Sequence, residues 1–287
     1  MDQWELQAVA ANNRSRPLIS APDATCCHQD ITMKPRVKID IARTPDGGEM
    51  TLYQHGRDFS ITINGQDLML SRQHESELEL ARLGCAHLTD HKAPSILIGG
   101  LGMGYTLRQA LDMLSVRAQV VVSELLEAVA KWNRDFLGEL NGQPLGDERV
   151  DLRMGDIVEL ISRSRSRFDA ILLDIDNGPR EMTDSGNRRL YGSEGIQACR
   201  RALGKQGCLA VWSAEPSKKF EQLLMNCGFH VRRFRVSAYK GSKSKSRFVW
   251  VASESKSILP RGGGEPRLPP KKKSKGRLRR SRQIVIQ

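Results

Sequence analysis

An α/β fold with a mostly parallel sheet is what this 287-residue sequence predicts, and three adjacent observations carry the expectation. Ser95-Ile96-Leu97-Ile98 is an apolar run of strand type that passes straight into the turn Gly99-Gly100-Leu101-Gly102-Met103-Gly104. Tyr105 to Leu114 then places Leu107, Ala110, Leu111 and Leu114 at helical spacing on one face. Gln119-Val120-Val121-Val122-Ser123 is a second buried-type strand and ends on Glu124, 20 residues after Gly104. Glycines let the backbone turn sharply and approach a ligand, and a carboxylate at the next strand's end can accept from both ribose hydroxyls. The unit therefore predicts a nucleoside site, with Gly100, Gly102 and Gly104 against the ligand and Glu124 on the ribose.

Upstream, residues 37–75 alternate apolar and polar positions, and Asn64-Gly65 sits between two such runs as a hairpin turn. This predicts a small antiparallel sheet at the N-terminal side. Ser76 to Leu88 is amphipathic, with Leu78, Leu80, Ala81 and Leu83 as its stripe. After the opening unit come a helix over 126–140, a strand at Val150–Arg153 and a short helix after Gly155-Asp156. Then follow a strand at Phe168–Leu173, a helix over 190–203, a strand at Gly207–Trp212 and a helix stopping at Gly228. Phe229–Val236 and Arg247–Ala252 are separated by too short a loop for a crossover helix, so they pair as a hairpin at the sheet edge. Five βα units ending in a β-hairpin predict a Rossmann-like, class I methyltransferase-type sheet rather than a plain dinucleotide-binding one.

Four regions result: a poorly ordered polar extension over 1–36, the small β region over 37–75, the nucleoside-binding catalytic domain over 76–253, and a basic low-complexity tail over 254–287. The net charge of +12 belongs largely to that tail. Arg261 to Arg282 holds ten Lys or Arg against Glu265 alone, which is +9 and leaves only +3 for the rest. Without interleaved aromatics, the tail and the loop lysines Lys240, Lys243 and Lys245 suit at most weak, non-specific contact with nucleic acid. Six scattered cysteines lack zinc spacing, since Cys26-Cys27 are adjacent, so no metal is expected and the thiols are expected reduced. No membrane segment or apolar leader is visible, which favours a cytoplasmic protein.

Strand ends carry further acids. Asp156, after Met154-Gly155, is placed to accept from an adenine amino group while Ile157 packs on the ring; capping the helix that begins at Ile157 explains the same residue. Asp174 closes the strand Phe168–Leu173. In open α/β sheets these ends line one crevice.

On Ile98-Gly99-Gly100-Leu101-Gly102-Met103-Gly104, Glu124, Met154-Gly155-Asp156 and Asp169 to Pro179, the chain resembles the spermidine/spermine synthase family of aminopropyltransferases, over about Leu52 to Val251. More narrowly it resembles bacterial spermidine-synthase-like proteins. The resemblance implies a decarboxylated S-adenosylmethionine or S-adenosylmethionine donor, a small amine acceptor, and often a homodimer. It makes Glu124 the ribose ligand, Asp156 the adenine ligand and Asp174 the carboxylate serving the attacking amine, with Asp176 as a second candidate. His74 and Glu75, in Ser71-Arg72-Gln73-His74-Glu75, match the family's Tyr-His-Glu segment and become acceptor contacts. Tyr191 becomes a wall of the acceptor site beneath the loop from Asn177, with Trp212 either beside it or in the core.

Two departures stand out. Met103 takes the place of the aspartate with which that family grips the donor's aminopropyl ammonium, and Gln73 that of its tyrosine. Methyl transfer thus stays open beside aminopropyl transfer, as does an inactive nucleoside-binding relative with a nucleic-acid-binding tail.

Overall fold

The computed structural model describes residues 35–45, 47–175, 189–239, 241 and 246–265. The extension up to residue 34, Asp176 with the loop to 188, Lys240, Lys243, Lys245 and the tail from 266 lie outside the described residues.

Strands β1 (Val37–Arg43), β2 (Glu49–His55), β3 (Asp58–Ile63) and β4 (Gln66–Leu70) form an antiparallel meander. Asn64 and Gly65 turn the third hairpin with φ of 49° and 79°, the two left-handed residues such a turn needs. Met50, Leu52 and Ile61 face inward and are fully buried. Asp40 fastens the sheet to the main body, accepting from Trp132 Nε1 at 2.9 Å and Lys131 Nζ at 3.0 Å.

The main sheet contains β5 (Ser95–Gly99), β6 (Gln119–Glu124), β7 (Val150–Met154), β8 (Phe168–Leu173), β9 (Leu203–Ser213), β10 (His230–Ser237) and β11 (Ser246–Ser253). Its order is β10-β11-β9-β8-β5-β6-β7. The run from β9 to β7 is parallel, while β11 is antiparallel to both β9 and β10. The terminal hairpin is thus where the sequence places it. Chain order reverses between β5 and β8, and a ligand crevice opens outside the carboxyl ends of strands at such a switch point.

Both faces of the sheet are covered. Ile96, Ile98, Val120 and Val122 point into one core, and Leu97, Val121, Ile171 and Leu173 into the other. Helix α1 (Glu75–Cys85) lies on the first. Its buried face is Ser76, Leu80, Ala81, Gly84 and Cys85. Leu78 and Leu83 are only partly buried, so the stripe is rotated from the expected one. A Cβ on Gly84 would sit 2.2 Å from Leu172 Cδ2, so the helix approaches the sheet as closely as glycine permits. The remaining helices are α2 (Tyr105–Met113), α3 (Glu127–Trp132), α4 (Ile157–Arg163), α5 (Ser193–Ala202) and α6 (Lys218–Asn226). The expected helix over 126–140 is α-helical only as α3. It then widens into a π turn at Asn133–Leu137 and tightens into a 3₁₀ turn at Gly138–Leu140. No described helix is long and apolar enough to cross a membrane.

Cys85, Cys199, Cys208 and Cys227 are buried free thiols; burial pushes Cys85 and Cys199 up to about 12. Beneath the hairpin, Glu221 of α6 is 5% exposed and accepts from Trp250 Nε1 at 3.1 Å and Arg233 Nη1 at 2.7 Å. Replacing Glu221 by Ala strands a buried indole N–H, and we expect a loss of about 2–3 kcal/mol in urea unfolding. The sequence assigned residues 254–265 to the tail. The structure instead packs Ile258 and Leu259 against the first core and brings the end of the segment to the outer side of β10, where Gly264 and Arg233 exchange backbone hydrogen bonds of 2.7 and 2.9 Å. Glu265 adds ion pairs to Arg232 and Lys256, each at 3.3 Å.

Candidate functional site

The glycine turn leaves β5 at the switch point. Gly100 has φ +87°, and a Cβ there would lie 2.3 Å from the carbonyl oxygen of Asp174, so the turn is pressed onto the end of β8. The backbone N–H of Asp174 donates to the Gly99 carbonyl at 2.9 Å, and that of Gly100 to the Ser123 carbonyl at 2.9 Å. Two asparagines brace the far side. Asn133 Nδ2 donates to the Gly102 carbonyl at 2.8 Å, and Asn141 Nδ2 to the Met103 carbonyl at 2.7 Å. The π turn begins at Asn133, and π turns of this kind recur at functional sites. Sequence reasoning missed both asparagines, because Asn133, in a helical run, reads as solvent-facing and Asn141, just past its end, reads as a turn residue.

Glu124 is 7% exposed. Its Oε2 accepts from Leu101 N and its Oε1 from Leu126 N, both at 2.8 Å, so it clasps the glycine turn as well as ending β6. The next strand end is tied in by Gly155 N, which donates to the Glu124 carbonyl at 2.8 Å, and by Ser123 Oγ, which donates to the Gly155 carbonyl at 3.1 Å. Asp156 caps α4, its Oδ1 accepting from Val158 N at 2.8 Å, while Arg189 stands 3.8 Å from its Oδ2. The capping geometry is therefore present, and one oxygen remains turned to a cation. Ile157 is buried below the turn, its Cδ1 2.2 Å from where a Gly99 Cβ would lie. A groove of about 270 Å³ adjoins Ser123, Met154, Gly155 and Asp156.

A second cleft, of about 200 Å³, opens on the other side of the turn. Asp174 forms its floor. Met69 and Leu70 from β4, Glu77 from α1, Met103 from the turn, and Trp212 and Arg247 from the neighbouring strands close it. Thr106, in the first turn of α2, donates to Asp174 Oδ2 at 2.7 Å and approaches the Glu77 carbonyl at 3.3 Å. Burial pushes the Asp174 carboxyl up to about 6, against the pull of the Thr106 hydroxyl. Burial and then the facing Asp174 charge push Glu77 up to about 8, while Ser76 Oγ donates to its Oε2 at 2.6 Å. Two carboxyls facing one another in a half-buried cleft titrate as a pair and hold about one negative charge at neutral pH.

The other sequence-predicted residues fall variously. His74 is half-buried and stacks on Tyr105 at 4.1 Å between ring centroids, with its Nδ1–H donating to the Ser71 carbonyl at 2.6 Å. It ties the start of α1 to α2 and is not among the cleft residues. Glu75 pairs with Arg82 at 3.0 Å and is not among the cleft residues. Tyr191 is fully buried in the core, edge-on to Phe220 at 5.8 Å, and its hydroxyl donates to the Ile175 carbonyl at 3.4 Å. It supports the chain beyond Asp174 from below rather than walling the cleft. Asp176 lies outside the described residues. Glu77, Thr106 and Arg247 were not anticipated. Glu77 is next to Ser76 on the shoulder of the α1 stripe, and only the adjacency of β5 and β8 brings Thr106 to Asp174.

A family model described as spermine/spermidine synthase domain matches residues 81–228. The polyamine aminopropyltransferase of Saccharolobus solfataricus is 29% identical over 180 residues, covering 60% of this chain and 58% of that protein. The protein of the same name from Prochlorococcus marinus is 25% identical over 179 residues, covering 59% of each. The chain thus spans under two thirds of the length of these relatives. Among solved structures, spermidine synthase from Thermotoga maritima superposes with a TM-score of 0.63 at 16% identity, covering 78% of this chain and 75% of the other. A spermidine synthase in complex with the transition-state analogue AdoDATO gives 0.64 at 18% identity, covering 78% and 76%. These likenesses show a shared fold. With more than half its length matched by the family model, the chain belongs to the spermine/spermidine synthase domain family.

Proposed function

We propose that this protein transfers an alkyl group from a sulfonium nucleoside to a small amine, with decarboxylated S-adenosylmethionine as donor and aminopropyl as the group moved. The observation that carries the reading is Asp174, half-buried at the end of β8 between the glycine turn and a cleft open to an aliphatic ligand. Its relatives' name, polyamine aminopropyltransferase, points the same way. A nucleoside would lie along the turn with its ribose on Glu124, its adenine toward Asp156 and Ile157, and its sulfonium facing the cleft. A primary ammonium has a pKa near about 10 and must lose a proton before its lone pair can attack. Asp174 binds the cation, orients it and takes that proton; nitrogen bonds to the sulfonium carbon, the carbon–sulfur bond breaks, and neutral methylthioadenosine leaves.

A second reading rests on Met103, 5% exposed and lining the cleft where a carboxylate would grip the donor's ammonium. Without that grip, S-adenosylmethionine is acceptable and methyl transfer follows. The leaving product separates the two. We expect methylthioadenosine by mass spectrometry when the full chain meets decarboxylated donor and a panel of amines. S-adenosylhomocysteine formed when S-adenosylmethionine is supplied in its place would identify methyl transfer, and neither product would overturn both. Glu124→Ala should weaken methylthioadenosine binding in calorimetry by about 10–100-fold, since a carboxylate hydrogen-bonded to two hydroxyls contributes about 1.5–3 kcal/mol. The tail from Arg261 stays a proposed weak nucleic-acid contact; unchanged retention on RNA after its deletion would remove it.

A further inference from the structure

The charges of the cleft do not match a plain diamine. Three carboxyl residues line it, Glu77, Asp174 and Asp67, the last ion-paired with Arg36 at 3.2 Å, and so does Arg247, at the start of β11. The guanidinium carbon stands 5.9 Å from the centroid of the Trp212 ring. Nη1 of Arg247 makes only a long, 3.5 Å hydrogen bond to the Ser246 carbonyl, and among the described residues no carboxylate lies within ion-pair distance of this side chain. Its charge nevertheless reaches Glu77 and favours the ionised form there. Beside it, the Trp212 indole N–H is buried and finds no acceptor among the described residues. A guanidinium that lines a cleft without a carboxylate partner among the described residues is a donor that an anionic group completes.

Between these ends the wall is aliphatic: Met69, Leu70, Leu101 and Met103. A diamine would bring two positive charges to a cleft whose described residues, with Asp67 paired to Arg36, offer about one unpaired negative charge and a guanidinium. A chain with an ammonium at one end and a carboxylate at the other meets an opposite charge at each.

We propose that the cleft is built for an aminocarboxylate, with its ammonium between Glu77 and Asp174 and its carboxylate on Arg247. The inference rests on the reading of the cleft as the place of the aliphatic amine, and it makes Arg247 a specificity-determining residue. The aminocarboxylate can be the acceptor, or the methionyl tail of a donor that has kept its carboxylate.

Calorimetry on the full chain tests this. In one arm, 4-aminobutyrate and 1,4-diaminobutane, which have the same span, are titrated with and without saturating methylthioadenosine. In the other, S-adenosylmethionine is compared with its decarboxylated form. We expect the carboxylate-bearing ligand of at least one arm to bind about tenfold tighter than its partner. Arg247→Gln should abolish that preference and Arg247→Lys should retain part of it, with thermal unfolding checking that both variants are folded. Preference in the first arm makes the aminocarboxylate the acceptor, and in the second the donor tail. Equal or tighter binding of the diamine and of the decarboxylated donor, unaffected by Arg247→Gln, overturns the proposal. Failure of methylthioadenosine to bind the wild type would instead remove the nucleoside reading, and the titrations made without it still decide the role of Arg247.

Discussion

Asp174→Asn should lower the rate of amine alkylation by about 10²–10⁴-fold, the usual contribution of a positioned general base, while leaving methylthioadenosine binding within a few-fold of wild type. The substitution is nearly isosteric, and the Thr106 hydroxyl that donates to Asp174 Oδ2 can donate equally to an amide oxygen. The sign of the linkage predicts that activity is not lost through unfolding. The folded carboxyl is raised to about 6 from an unfolded value near about 3.9, so its ionisation opposes folding. Stability from this group is full below about pH 4 and is lost as pH rises to about 6. Removing the charge therefore preserves or raises stability at neutral pH, and a variant that melts earlier would show that the side chain has another task. Wild-type kcat/KM should rise with pH through a limb near 6 as Asp174 ionises, and again near 8 as Glu77 does. Glu77→Gln should keep the first limb and lose the second. A single limb unchanged by that variant would dissociate Glu77 from the acceptor.

Gly100→Ala should be the most damaging change of a single methyl group in the turn. An alanine there must hold φ near +87°, and its Cβ would meet the backbone carbonyl of Asp174 at 2.3 Å, an atom that cannot rotate away. Left-handed strain and overpacking together cost about 2–4 kcal/mol. Relief comes only by moving the turn off the β8 end, which shifts both the Leu101 amide that Glu124 accepts and the Asp174 backbone. We expect a lower urea midpoint together with loss of measurable methylthioadenosine binding. Gly146→Ala, with open space around its Cβ position, is the control and should change neither.

The parts of the fold legible in the sequence are those governed by local rules. The period-2 runs, the Asn64-Gly65 turn and the short link between β10 and β11 each leave the chain a single local arrangement, and the small antiparallel sheet and the terminal hairpin follow from them. The glycine turn and the acids at strand ends were legible because topology brings every such end to one crevice. What was not legible depends on contacts between elements distant in sequence. Thr106 reaches Asp174 68 positions away, and Asn133 reaches back to Gly102 by giving up regular helix after Trp132. Glu77 looks like an ordinary helix-surface acid until Asp174 is placed opposite it. Tyr191, beside a charged loop in the sequence, is drawn into the core because Phe220 and the Ile175 carbonyl satisfy both its ring and its hydroxyl.

The paired backbone hydrogen bonds between Gly264 and Arg233 bear on solubility. Strand β10 is the last of its sheet, and its outward amides and carbonyls would otherwise template pairing with a second molecule. The segment that crosses it occupies those groups at the strand's centre, and Glu265 holds it there through Arg232 and Lys256. A chain shortened to Ser253 would keep every residue of the two clefts yet present a bare strand rich in arginine to its neighbours. The stretch that looks like the start of a dispensable tail is thus the guard that keeps one molecule's sheet from extending into the next.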